Sequence, residues 1–251
     1  MINRTGLIAL TSAAVIASAV ACGTHSTSSA TTPSTHTPAV AATSAAAAAP
    51  SACADLGGTV GPGQTCEVHA ATPGYTVDFS FPVDYPDQGA VTDALQRQRD
   101  AFIDWVEQRP AHDRSYALDI MGESYRSGTS DSGTRSLVLT EYSDTGGAHP
   151  VTYFESLNYD LAKRAPITFD TLFKPGTNAV EVLDPIVKAE LDKRLDGGPA
   201  NPNSLGATVY RNFAITDDAV IFFIGQGMWV YEAAGPQTVS VPRTELASAL
   251  A

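Results

Sequence analysis

The chain has 251 residues, 43% of them apolar, and a formal net charge of −12, which is chain and apolar content enough for a packed core and unlike a disordered composition. The charge is uneven: Arg4 is the only charged side chain before Asp55, so all 27 acidic residues and all but one of the 15 basic ones lie in the remainder. With no basic stripe, the main driving term for nucleic acid and for anionic lipid surfaces is missing, and both are excluded as expected partners.

Residues 1–4 are short with one positive charge, and the apolar run 7–21 is too short to cross a bilayer as a permanent helix, so residues 1–21 are expected to be a signal peptide. Two readings meet at its end. Ala19-Val20-Ala21 suits ordinary cleavage and secretion, while the same residues followed by Cys22-Gly23 resemble a lipobox, with Ala19 where Leu is usual. The three cysteines favour the second: if Cys53 and Cys66 pair, Cys22 is an exposed thiol in an oxidising compartment unless a lipid occupies it. The expectation is therefore a lipoprotein anchored to the outer face of the cell membrane. Residues 22–50 are mostly Ser, Thr, Ala and Pro, with no Asp, Glu, Lys, Arg, Phe, Tyr or Trp, and they read as a disordered tether. Such a coil has an end-to-end distance on the order of 30 Å and a maximum reach of about 90 Å.

From residue 51 to 251 one domain is expected. Cys53 and Cys66 bracket a segment with four glycines and a proline, read as a loop stapled by a disulfide. Tyr75, Val77, Phe79, Phe81 and Val83 alternate as one face of a strand, and Pro82 predicts an edge position or a strand end. Val91, Ala94, Leu95, Phe102, Trp105 and Val106 recur at helical spacing up to Pro110, with Trp105 on the core side. Three strand-like stretches, 116–126, 135–142 and 152–161, are separated by Gly, Ser, Asp and Thr turns and predict an antiparallel meander. A second helix runs over 181–195 with Pro185 in its first turn, and a hairpin of 212–216 with 219–224 turns at Asp217-Asp218. An aromatic loop, a strand at 238–241 and a helix from Arg243 follow. Uneven interspersion of helices among antiparallel strands predicts an α+β fold with two to three helices.

Chemistry-bearing motifs are few. There is no G-x-S-x-G elbow, and His25, His36, His69, His112 and His149 are far apart with no H-E-x-x-H, so neither a catalytic centre, a metal nor a cofactor is expected. The carboxylates are abundant but select no pair. Two places stand out. Gly146-Gly147-Ala148-His149-Pro150 reads either as a tight strand connection or as a loop presenting His149. In Gly225-Gln226-Gly227-Met228-Trp229-Val230-Tyr231, glycines mark a loop whose rings are either packed on the sheet or exposed to a ligand. Trp229 and Tyr231, with Tyr153 and His149 as neighbours, are the candidate ligand-binding residues.

Taken as an ordered set, 141–150 with its Gly146-Gly147-Ala148-His149-Pro150, Asn158-Tyr159-Asp160-Leu161, Phe169-Asp170-Thr171-Leu172-Phe173, Tyr231-Glu232-Ala233-Ala234-Gly235-Pro236 and Val241-Pro242-Arg243 resemble the RsiV-type extracellular domain, shared with some peptidoglycan deacetylases and with mycobacterial secreted immunogenic antigens. Val83-Asp84-Tyr85-Pro86 is especially similar to the antigen branch. Arg243 stands where the RsiV-type pattern has Tyr. The resemblance implies a β-grasp-like α+β fold and an envelope-facing, non-enzymatic binding role, for a lysozyme-like protein or a cell-wall glycan. An esterase or other hydrolase is the alternative, since such activity is proposed for relatives in the antigen branch.

Overall fold

A computed structural model describes residues 51–109, 114–195 and 206–251; the signal peptide, Cys22, the tether and His112 lie outside them. In chain order the elements are α1 (Ala52–Asp55), β1 (Thr59–Val60), β2 (Thr65–Ala71), β3 (Tyr75–Pro82), α2 (Gln88–Glu107), β4 (Tyr116–Ser127), β5 (Thr134–Asp144), β6 (Val151–Asp160) and β7 (Ala165–Pro166). There follow α3 (Phe169–Leu172), α4 (Ala179–Arg194), β8 (Phe213–Ile215), β9 (Ala219–Ile224), β10 (Gln237–Pro242) and α5 (Arg243–Leu246). This is an α+β fold. Strands β1 to β7 form one sheet in sequential order, antiparallel throughout except where β3 runs parallel to β4.

That parallel step dictates the first layer, because a parallel neighbour needs a crossover and α2 supplies it. The helix starts where the Asp87 side chain accepts from the Ala90 N–H at 3.0 Å. Its buried Val91, Ala94, Leu95, Phe102 and Val106 form one core with Val77, Phe79, Phe81, Leu118, Ile120, Leu137 and Leu139, the inward alternation of β3, β4 and β5. Because β3 lies between β2 and β4, Pro82 marks a strand end and not an edge.

The Cys53–Cys66 disulfide joins α1 to β2, with both sulfur residues buried. The segment between them is less of a loop than its glycines imply, since it carries part of α1 and all of β1. Strand β2 carries little apolar alternation, because only Cys66 and Val68 of its seven residues are buried in the core.

Strands β8 to β10 form a second sheet that lies on the outer face of the first. Alternation gives each of its faces a partner. Val220, Phe222 and Ile224 pack with Leu183, Val187 and Leu191 of α4, while Ala214 and Phe223 pack with Val138 of the large sheet. Side-chain amides and a hydroxyl tie the layers together: Asn158 donates to the Phe213 carbonyl at 2.8 Å, Asn212 to the Phe154 carbonyl at 2.7 Å, and the Ile215 N–H donates to Ser136 Oγ at 3.1 Å. In α4 the Asn178 side chain caps the helix, so it starts at Ala179 and Pro185 falls in its interior rather than its first turn. There proline removes one backbone donor from the helix ladder. The final helix, α5, is a single turn closed by buried Leu246.

Candidate functional site

Three of the four sequence-predicted ligand residues are brought together at the surface, and the fourth is not. Tyr153 and Tyr231 are 41% and 45% exposed, and His149 Nε2 lies 3.4 Å from the Glu232 carboxylate. Trp229 is 4% exposed, and its ring meets Tyr210 edge-on at 6.0 Å, so it is a core residue and not a ligand contact. The reason is the fixed turn before it. The Gln226 N–H donates to the Thr152 carbonyl at 2.9 Å, the Gln226 side chain accepts from the Thr152 N–H at 3.1 Å, and Gly227 turns the chain with φ 73°. Gly225 has no room for a side chain, because a Cβ there would lie 2.8 Å from the Tyr153 ring. The loop is thereby clamped to β6 and sends Trp229 inward.

Sequence reasoning missed a larger feature next to it. The second sheet covers only part of the outer face of the first, and the uncovered part is a groove of about 610 Å³. Cross-strand register fills it with two rows. One row runs His69, Asp78, Asp119, Tyr142; the other runs Glu67, Ser80, Met121, Thr140. The first row continues to Thr152, the residue that holds the Gln226 loop, whereas Tyr153, paired with Glu141 and through it with Ile120, projects from the opposite face of β6.

The groove is acidic and partly apolar. His69 Nδ1 is hydrogen-bonded to Asp78 at 2.5 Å, and Ser80 Oγ donates to Glu67 at 2.9 Å. Burial, and then the neighbouring Asp78 charge, pushes the Asp119 carboxyl above the usual range. Met121 is 65% exposed and Tyr142 40%, an unusual outlay of apolar surface in the middle of a sheet. Chemically, carboxylates beside an exposed thioether and phenol make a surface that suits cationic groups. The His69–Asp78 pair is also the orienting half of an acid–histidine relay, but no serine hydroxyl among the described residues is bonded to a histidine. Nor does any group of three His, Cys, Asp or Glu among them stand in position to hold a metal ion.

The chain is 46% identical over 199 residues to a Mycobacterium tuberculosis protein named esterase Rv3036c, a match spanning 78% of this chain and 88% of that protein. It is 38% identical over 201 residues to immunogenic protein MPT64 of the same species, spanning 79% of this chain and 88% of MPT64. The chain belongs to the MPT64 family. Within it, residues 170–244, from α3 to the start of α5, match a family model described as a protein of unknown function, DUF3298. A more distant likeness, 26% over 118 residues, joins 45% of the chain to 25% of the Bacillus subtilis peptidoglycan-N-acetylmuramic acid deacetylase PdaC. The immunogenic-antigen branch of the resemblance is thus established by MPT64 itself.

Proposed function

We propose that this member of the MPT64 family is a cell-envelope binding protein, lipid-anchored at Cys22, whose sheet-face groove takes a basic, lysozyme-like protein in the manner of the RsiV-type domain. The observation that carries the reading is the gathering of Glu67, Asp78 and Asp119 on one face of three neighbouring strands, in two adjacent rows, beside exposed Met121 and Tyr142. Carboxylates of that density steer a cationic partner and set the encounter rate, while a thioether and a phenol supply the desolvated anchors that affinity requires.

Against a basic lysozyme, the association rate should fall as salt is added, and Met121→Ala and Tyr142→Ala should each weaken binding by about 1 kcal/mol or more. If any basic protein of equal charge binds as well and neither substitution matters, the lysozyme-like partner is dropped; binding to cell-wall glycan alone would move the reading to that ligand. The anchor has its own check. Cys22→Ala should shift the protein from the membrane fraction to the medium, and unchanged retention would remove the lipid.

One observation favours a second reading, ester hydrolysis. His69 is held at Nδ1 by Asp78, which leaves Nε2 for proton transfer, and the 46% identical relative bears the name esterase. The binding reading expects no saturable turnover of p-nitrophenyl butyrate. Saturable activity lost in His69→Gln would put hydrolysis in its place.

A further inference from the structure

A second cleft, of about 350 Å³, shares no lining residue with the groove. It lies where β7, α3, the β8–β9 hairpin and the C-terminal residues meet. Its floor is apolar: Leu172, Ile215 and Val220 are all buried core residues, with Ile167 and Leu250 packed beside them. Its mouth carries Arg243 and Lys163.

Arg243 is a fixed cation and not a waving one. Its backbone N–H donates to the Asp218 carbonyl at 2.8 Å, and Nη1 donates to Ser127 Oγ at 3.1 Å and to the Thr216 carbonyl at 3.3 Å. These bonds use one guanidinium nitrogen, and the nearby Asp217 carboxylate, which accepts from the same Ser127 hydroxyl, partly balances the charge while leaving the other N–H groups to donate to a ligand. Thr134, also on the cleft wall, keeps its hydroxyl buried without a partner. Asp160 and the Ala251 end line the cleft too, and Asp160 is paired with Lys163 at 3.3 Å. The mouth therefore has little net charge. What selects an anion there is the pre-oriented guanidinium, whose planar fork suits a carboxylate.

An apolar floor of this size under one immobilised guanidinium is the chemistry of a single-chain amphiphile with an anionic head. We infer that the cleft binds a long-chain carboxylate, with the chain along Pro166, Ile167 and Leu250, which the buried Leu172, Ile215 and Val220 support from beneath, and the head group on Arg243. The site is independent of the groove and of the protein partner proposed for it.

The test is titration calorimetry of the full chain carrying Cys22→Ala, so that no attached lipid competes, with dodecanoate below its micellar concentration. Saturable one-to-one binding is expected, tightening by about fourfold for each methylene added over a short chain-length series. Dodecyltrimethylammonium should not bind. Arg243→Gln should weaken dodecanoate at least tenfold and leave dodecanol unchanged, whereas Ala165→Trp, which fills the cleft from β7, should abolish both. If Arg243→Gln disturbs the hairpin, as a changed near-ultraviolet spectrum would reveal, Arg243→Lys replaces it and should also weaken dodecanoate, because an ammonium cannot reproduce the planar two-point contact, while leaving dodecanol unchanged. Absence of saturable binding, equal binding of the cationic amphiphile, or full dodecanoate affinity in Ala165→Trp would each overturn the inference.

Discussion

Trp229→Ala should lower folding stability by about 3–5 kcal/mol and leave ligand affinity per folded molecule unchanged. The indole is buried against Tyr210, which itself stands on Phe222 and Phe169 in the core between the second sheet and α4. The Tyr210 hydroxyl donates to Asp184 of α4 at 2.5 Å, so a cavity beside Tyr210 also loosens the one polar tie from this ring to the helix. Urea denaturation gives the stability term, and affinity measured well below the midpoint gives the other. A variant that keeps stability within about 1 kcal/mol while losing affinity would return Trp229 to the surface role that the sequence allowed.

The second large effect lies at the opposite end of the domain. Replacing both Cys53 and Cys66 by Ser should remove about 3 kcal/mol, through the freedom the unfolded chain regains when a loop of this length is no longer closed. Here the native side loses as well. The bridge holds α1, whose Ala52 N–H donates to Gln88 of α2 at 3.1 Å, against β2, whose Glu67 and His69 form one edge of the groove. Reduced protein should accordingly melt earlier and bind a basic partner more weakly, and an oxidised digest should contain the linked peptides. A double Ser variant as stable as the parent, with unaltered binding, would show that β2 is held by its pairing with β3 alone.

What could be read from the sequence followed from local periodicity. The alternation in β3, the meander of β4 to β6, α2 and the β8–β9 hairpin all announce themselves through apolar pattern and turn chemistry local to each element. The groove has no such signal. Each of its side chains sits on the polar side of an amphipathic strand, where Glu67, Asp78 or Asp119 looks like ordinary solvated charge until register gathers them in two adjacent rows on one face. That register depends on the parallel β3–β4 step, which the α2 crossover imposes from outside either strand. Trp229 escapes local reading for a related reason: glycines around it mark a loop, but only the distant Thr152 contact decides which way the loop turns. His149, Tyr153 and Tyr231 were placed together because the strand connection and the loop that carry them are both tied to β6.

The central claim, that the uncovered half of the sheet is the binding surface, can be read from a single methyl group. The chain has three methionines, and Met121 lies exposed in the groove. With the methionine methyls labelled in this protein alone, titration with an unlabelled basic lysozyme should shift or broaden the Met121 resonance saturably, and added salt should reverse the effect. A Met121 resonance that stays unmoved while complex formation is evident from slowed diffusion would contradict the claim and place the partner elsewhere on the domain.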